Sequence, residues 1–331
     1  MNVTRRQALQ GALAGGAAAA AAARAKAQDM SYPEDPRDVV RLWPGPPPGS
    51  PRMLPREAVV ERATDASYRD RAVTGIGVPL MTVFRAPSPN GGAVLIVPGG
   101  GYIRVVIDKE GFEAARRLNA AGITAFVLRY RLPGEGWAQR QDASLQDVQR
   151  AMRIIRARSA QWGVDPARLG VMGFSAGGHV AASLLTRHDA NVYAAVDGAD
   201  RQPARPDFAA LMYPVISMSR PHAHTGSRAA LVGADASPEL EAAYSPDRNV
   251  RPGAPPTFLL HATDDPAVPV ENSLMMYAAL RAAKTPIEMH VFEEGGHGFG
   301  IRLAQGKPVA VWPELVLRWM SAHGVMSPRS L

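Results

Sequence analysis

Leu169-Gly170-Val171-Met172-Gly173-Phe174-Ser175-Ala176-Gly177-Gly178-His179 is the stretch on which the reading of this chain turns. Leu169 to Met172 is a short apolar run of the kind that forms a buried strand. Gly173 to Gly177 fits G-x-S-x-G, and the apolar and small residues from Gly178 to Leu185 read as a helix. The motif needs this strand–turn–helix context. Its glycines allow a turn too tight for side chains, which pushes the serine hydroxyl outward. Five such residues also occur by chance. The rest of the chain must therefore supply a base for Ser175, an acid to hold that base, and donors for a developing negative charge.

The 331 residues, 46% of them hydrophobic, suffice for a large core in one domain or two. There is no cysteine, which excludes disulfides, thiolate metal ligands and a cysteine nucleophile. The formal charge is +7. Four of the cations (Arg5, Arg6, Arg24 and Lys26) fall in the first 27 residues, where there is no acid. The remainder carries only a mild surplus, without the Lys/Arg cluster of a nucleic-acid footprint. Nucleic acid is not an expected partner.

Those first residues read as an export signal. Arg5-Arg6 are followed by an Ala/Gly-rich apolar run from Gly11 to Ala23, then by Ala25-Lys26-Ala27 as an A-x-A cleavage site. The run is too short and too weakly apolar to span a membrane comfortably. The expectation is a twin-arginine leader over residues 1–27, cleaved after Ala27. It implies the twin-arginine export machinery as a partner, a periplasmic or secreted product, and no stable membrane anchor after cleavage. Residues 28–70 are Pro-rich and read as an irregular extended arm, since Pro44 to Pro51 suits neither helix nor central strand. Residues 71–331 form the main domain.

In that domain strands and helices alternate. Strands are expected at 78–84, 93–97, 123–128, 169–172, 208–212, 257–261 and 287–292. Helices are expected at 110–121, 144–162, 270–283 and 312–320. This pattern predicts an α/β fold with a mainly parallel sheet covered on both faces. Met218 to Ser245 is the least regular interior segment and reads as an insertion over the site.

On such a sheet the partners of the serine follow it in the order acid, then histidine, on loops at the carboxyl ends of later strands. His261-Ala262-Thr263-Asp264-Asp265-Pro266-Ala267-Val268-Pro269 supplies two competing acids, Asp264 and Asp265. Gly295-Gly296-His297-Gly298 supplies a histidine with little bulk around it. Among the other histidines, His179 is expected to pack on the helix after the turn, and His261 and His290 to be core or edge residues. His188 and His323 fall near helix ends, and His222 and His224 lie in the insertion, where they could line a pocket. None has convincing metal-ligand spacing, so no metal or cofactor is expected. Ala176 offers a backbone N–H beside the serine, and Pro98-Gly99-Gly100-Gly101-Tyr102 offers a second donor loop free of side-chain bulk.

Together with Tyr130 to Trp137, Trp162 to Pro166 and Val268 to Ser273, these stretches resemble the bacterial α/β-hydrolase esterases related to acetylxylan esterases. The resemblance runs from about residue 75 to the C-terminus. It implies an eight-stranded, mostly parallel sheet with Ser175 as nucleophile, His297 as base and Asp265 as the acid. It also implies oxyanion donors at Gly100 or Gly101 and at Ala176. Pro98, where lipase-like relatives carry histidine, favours the acetylxylan branch. The expected activity is removal of short acyl groups, acetyl above all, from xylan or other acetylated carbohydrates; Tyr102 and Trp137 read equally as a sugar platform or as ordinary loop packing. A general carboxylesterase, lactonase or peptidase on the same fold is the alternative, and a catalytically silent binding protein a further one. Glycoside cleavage would need two flanking carboxylates, and Glu293-Glu294 reads instead as a solvated strand end.

Overall fold

The structure, a computed structural model, describes residues 32–64 and 67–326. The export signal expected over residues 1–27 lies outside them. The chain divides into two units. The smaller takes Met1–Asp35 and Ala63–Arg69; among its described residues Arg69 pairs with Asp35 at 3.8 Å and lies over the Tyr32 ring. The larger takes Pro36–Arg62 and Asp70–Leu331 and holds Ser175, Asp265 and His297.

In chain order its strands are β1 (Val39–Arg41), β2 (Ala58–Glu61), β3 (Arg71–Thr74), β4 (Leu80–Phe84), β5 (Ala93–Val97), β6 (Val105–Val106), β7 (Thr124–Arg129), β8 (Leu169–Phe174), β9 (Ala209–Met212), β10 (Thr257–Ala262) and β11 (Ile287–Phe292). The helices are α1 (Glu113–Asn119), α2 (Ala143–Ala157), α3 (Ala176–Arg187), α4 (Thr225–Leu231), α5 (Pro238–Ala243), α6 (Glu271–Ala282) and α7 (Trp312–Ala322). Eight strands form one sheet in the order β1-β4-β7-β5-β8-β9-β10-β11. From β7 to β11 every neighbouring pair is parallel, while β4 and β1 join antiparallel at one edge. The continuous apolar runs account for the inner strands, since β5, β8, β9 and β10 are buried at every position, as two-sided burial requires. At the other edge β11 keeps polar residues and is only half-buried.

Register sets up the site. Val97 at the end of β5 pairs with Gly173, and Phe174 pairs with Met212, so the loops that leave β5, β8 and β9 emerge side by side. Ala262 pairs with Phe292, which brings the loops after β10 and β11 together at the same carboxyl edge. Ligands of open α/β sheets are met at that edge.

The structure corrects three local expectations. The Pro-rich segment is not irregular throughout: β1 pairs with β4, and β2 joins β3 and β6 in a small antiparallel sheet. Runs of three or four residues between prolines are too short to reveal a period. The insertion contains α4 and α5, capped by His224 and Ser237, with Pro238 in the first turn of α5. The helix expected to reach Trp162 ends at Ala157, and a separate 3₁₀ turn over Ser159–Trp162 closes on Gly163 at φ 63°.

In the interior, Arg131 and Asp147 form an ion pair at 2.9 Å with both side chains fully buried. Asp147 also accepts from the Trp43 indole at 2.8 Å, and Arg131 donates to the Pro48 carbonyl at 2.6 Å. Two charges this far from water persist only when their remaining valences are met, and these are.

Candidate active site

The turn after β8 is as tight as its glycines suggested. A Cβ on Gly173 would stand 2.3 Å from the Gly177 carbonyl oxygen, and one on Gly177 would stand 2.1 Å from that of Val97. Neither position has room for a side chain. Ser175 sits at φ 53° and ψ −120°, a conformation non-glycine residues rarely adopt. It is held there from both sides: its N–H donates to the Met212 carbonyl at 3.0 Å, and its carbonyl accepts from His179 and Val215 at 3.2 and 3.0 Å.

Ser175 Oγ lies 2.8 Å from His297 Nε2. His297 Nδ1 lies 2.7 Å from Asp265 Oδ2. A carboxylate can only accept, so Nδ1 carries the proton and Nε2 is left to accept from the serine hydroxyl. The other oxygen of Asp265 accepts from the Ala267 and Val268 amides at 2.9 and 2.8 Å, and His261 Nε2 lies 3.4 Å from Oδ2. Burial alone would raise the pKa of this carboxyl. Hydrogen bonds from His261 and His297, the His297 charge and the Val268 amide outweigh it and hold Asp265 far below the usual carboxylate range. Asp264 plays a different part. It is exposed, and its Oδ1 accepts from the Gly295 and Gly296 amides at 2.9 and 2.7 Å, which anchors the loop that carries His297.

The glycine loop after β5 curls on itself. Gly100 C=O accepts from the Ile103 and Arg104 amides, and Val106 N–H donates to Gly99 C=O. Gly99 N–H is taken by Glu110 Oε2 at 2.9 Å. The Gly100 and Gly101 amides meet no acceptor among the described residues, and both residues line the cavity with Ser175 and His297. Ala176 opens α3, where an N–H lacks an intrahelical acceptor.

Glu110 went unnoticed as a site residue, because an acid at the start of a helical pattern reads as an ordinary dipole partner. It lies instead in a buried π-helical turn over Asp108–Phe112, closed by Phe112 N–H to Ile107 C=O. Its second oxygen accepts from the Tyr213 hydroxyl at 3.1 Å, and the Tyr213 ring packs edge-on against His297 at 5.2 Å. Burial, followed by the Glu110 charge, pushes the Tyr213 hydroxyl well above its ordinary pKa and keeps it a donor.

Of the two readings of Tyr102 and Trp137, their burial fits loop packing and not a sugar platform. Both are buried, at 2% and 4% exposure, and neither lines the cavity. Trp137 stacks on the buried Arg131 guanidinium at 4.8 Å. The Tyr102 hydroxyl lies 2.7 Å from His179 Nδ1, and His179 Nε2 lies 2.8 Å from the Tyr244 carbonyl. His179 Nε2–H therefore donates to Tyr244, and Nδ1 accepts from Tyr102. This imidazole ties the glycine loop to the insertion.

Burial lowers the His179 pKa from 6.5 to about 4. Between those values the unfolded chain binds a proton that the folded chain refuses, so stability falls as pH drops from 6.5 towards 4 and levels off below. The expected loss is about 3 kcal/mol. Urea titrations of wild type and His179→Gln at pH 7.5 and 4.5 measure it, and the variant is expected to lose correspondingly less between the two.

The cavity in front of Ser175 holds about 450 Å³ and is bordered by Gly100, Gly101, Lys109, Glu110, His224 and His297, among others. His224 Nδ1 accepts from the Ser227 N–H at 3.2 Å, which leaves Nε2 as a donor in the neutral ring, and burial followed by His297 lowers its pKa. His222 is absent from the cavity lining, and its carbonyl accepts from Asn272. Glu293 and Glu294 are exposed past the end of β11 and do not border the cavity.

A model of the BD-FAE family matches residues 85–280, more than half of the chain. The chain belongs to the BD-FAE family. It is 35% identical over 228 residues to an acetylxylan esterase from Xylanibacter ruminicola, across 68% of this chain and 44% of that protein. It is 36% identical over 214 residues to endo-1,4-beta-xylanase B from Butyrivibrio fibrisolvens, across 63% of this chain and 32% of that protein. The chain thus spans less than half the length of these two curated relatives. The crystal structure of an acetyl ester-xyloside bifunctional hydrolase from Caldicellulosiruptor lactoaceticus matches with a TM-score of 0.74 at 33% identity, covering 90% of this chain and 100% of that one. Like that neighbour, this BD-FAE member has the α/β-hydrolase fold, with a large, mostly parallel eight-stranded sheet and flanking helices.

Proposed function

We propose that this BD-FAE member is an exported carboxylic ester hydrolase that removes short acyl groups, acetyl above all, from hydroxyls of xylan or other acetylated carbohydrates. The observation that carries the reading is the continuous relay from Ser175 Oγ through His297 to the buried Asp265, with both links under 3 Å. The relatives' names, acetylxylan esterase and acetyl ester-xyloside hydrolase, support the substrate class. The twin arginines and the Ala25-Lys26-Ala27 site support export.

In this mechanism Ser175 Oγ attacks the ester carbonyl while His297 Nε2 takes its proton. Asp265 keeps the imidazole in the tautomer that can accept, and stabilises the cation formed. The carbonyl oxygen, now negative, accepts from the amides of Ala176 and of Gly100 or Gly101. Glu110 fixes Gly99 and so presents the following amides. His297 returns the proton to the leaving sugar oxygen. Water activated by the same ring then releases the acid and restores Ser175.

A substrate panel tests the reading. Acetate should be released from acetylated xylooligosaccharides, and kcat/KM on p-nitrophenyl esters should fall as the acyl chain lengthens. A preference for long acyl chains, or faster cleavage of aminoacyl amides or lactones than of acetyl esters, contradicts it.

A further inference from the structure

Four side chains that border the Ser175 cavity carry full charges: Arg62, Arg104, Lys109 and Glu110. Two of them are answered within the protein. Arg62 pairs with Asp70 at 3.4 Å. Glu110 accepts from Gly99 and Tyr213. Lys109 is not answered. It is 9% exposed, yet its ammonium has no hydrogen-bond acceptor and no carboxylate at ion-pairing distance among the described residues. The π-turn holds it against the loop that carries His297. A Cβ on Gly298 would stand 3.4 Å from Lys109 Nζ and 3.4 Å from Glu110 Oε1, and one on Gly300 would press on Lys109 itself. The ammonium is therefore fixed at the cavity wall, one residue along the chain from the carboxylate that holds the glycine loop. Arg104, from that same loop, borders the cavity as an exposed cation, also without a carboxylate at ion-pairing distance among the described residues.

A buried ammonium without a hydrogen-bond acceptor is costly even with the Glu110 carboxylate in its neighbourhood, and Lys109 borders the substrate cavity. A carboxylate arriving there would regain for Lys109 the hydration that burial removed, and Arg104 would draw it in. We propose that Lys109, with Arg104 at the rim, forms an anion subsite, and that the preferred esters carry a carboxylate close to the scissile acyl group. This rests on the esterase reading above. A uronic-acid residue on the acetylated saccharide and an acidic acyl chain offer the same group from opposite sides of the ester bond.

Matched substrates test it: an O-acetylated methyl glucuronoside against the O-acetylated methyl glucoside, and monoethyl succinate against ethyl butyrate. In the wild type, kcat/KM for the charged member of at least one pair should exceed that of its neutral partner by about 10- to 100-fold, the range expected of one charge-assisted hydrogen bond. The first pair reports a carboxylate on the sugar, the second one on the acyl group. Lys109→Met should reduce that ratio about tenfold or more, Arg104→Ala should reduce it several-fold, and added salt should narrow it. Should Lys109→Met fail to fold, Arg104→Ala and the salt dependence carry the test, because Arg104 is exposed. Equal wild-type rates within both pairs overturn the subsite while leaving the esterase reading intact. So does an equal loss on charged and neutral members in Lys109→Met, which would make the ammonium a general support for the oxyanion. Failure of the wild type to hydrolyse any of the four overturns the esterase reading, and the subsite with it.

Discussion

Ser175→Ala is expected to lower kcat by roughly 10⁴- to 10⁶-fold on any acetyl ester, with KM and the thermal midpoint little changed. The large effect follows from removing the hydroxyl that bonds with His297 Nε2. The small structural effect follows from what holds the turn. Ser175 keeps its φ of 53° through bonds from its backbone to Met212, His179 and Val215, and alanine preserves all of them. Steady-state kinetics with a thermal melt on the same samples check both halves. A variant that melts many degrees lower would mean that the hydroxyl supports the turn as well as the chemistry.

Asp265→Asn carries the second large effect, a fall of about 10⁴-fold in kcat. A carboxamide can place its NH₂ against His297 Nδ1. The ring then carries its proton on Nε2 and cannot accept from Ser175. Asp264→Asn provides the contrast. Its work is to accept the Gly295 and Gly296 amides, and an amide oxygen can still do so. A loss of less than about tenfold is expected there, on the scale of one weakened hydrogen bond. Saturation kinetics on both variants settle the division of labour. A larger loss at Asp264 than at Asp265 would reverse the assignment.

What the sequence displayed was chemistry local in the chain. Gly173 to Gly177 announces a turn because each glycine is required by a contact a few residues away or on the adjoining strand. The strand runs 93–97 and 257–261 stood out because they are largely apolar and follow Gly or Pro, and 287–292 because it alternates after Pro286. Asp265 and His297 could be read as neighbours because each follows such a strand. The part played by the competing Asp264 was not legible that way, since its partners are the backbone amides of Gly295 and Gly296, thirty-one and thirty-two residues on. Glu110 and Lys109 were hidden for a related reason. The π-turn that buries them looks like the start of an ordinary helix, and only the loops from β5 and β11 reveal what they face. Tyr102 and Trp137 stayed open between platform and loop packing because aromatic residues in Gly-rich loops fit either an exposed or a buried place. Here one is drawn inward by His179 and the other covers the buried Arg131. The strands at 39–41 and 58–61 are simply too short to carry a period.

The proposed chemistry requires Ser175 to be an activated nucleophile, and the most direct measurement of this is the site of covalent labelling by a serine-directed fluorophosphonate. Digestion and mass spectrometry of the inhibited wild type should place one adduct per chain on the peptide containing Ser175. Ester hydrolysis should be lost in step with labelling, and Ser175→Ala should take up no probe. An unlabelled Ser175 in folded protein, or undiminished ester hydrolysis after its complete modification, would contradict the account.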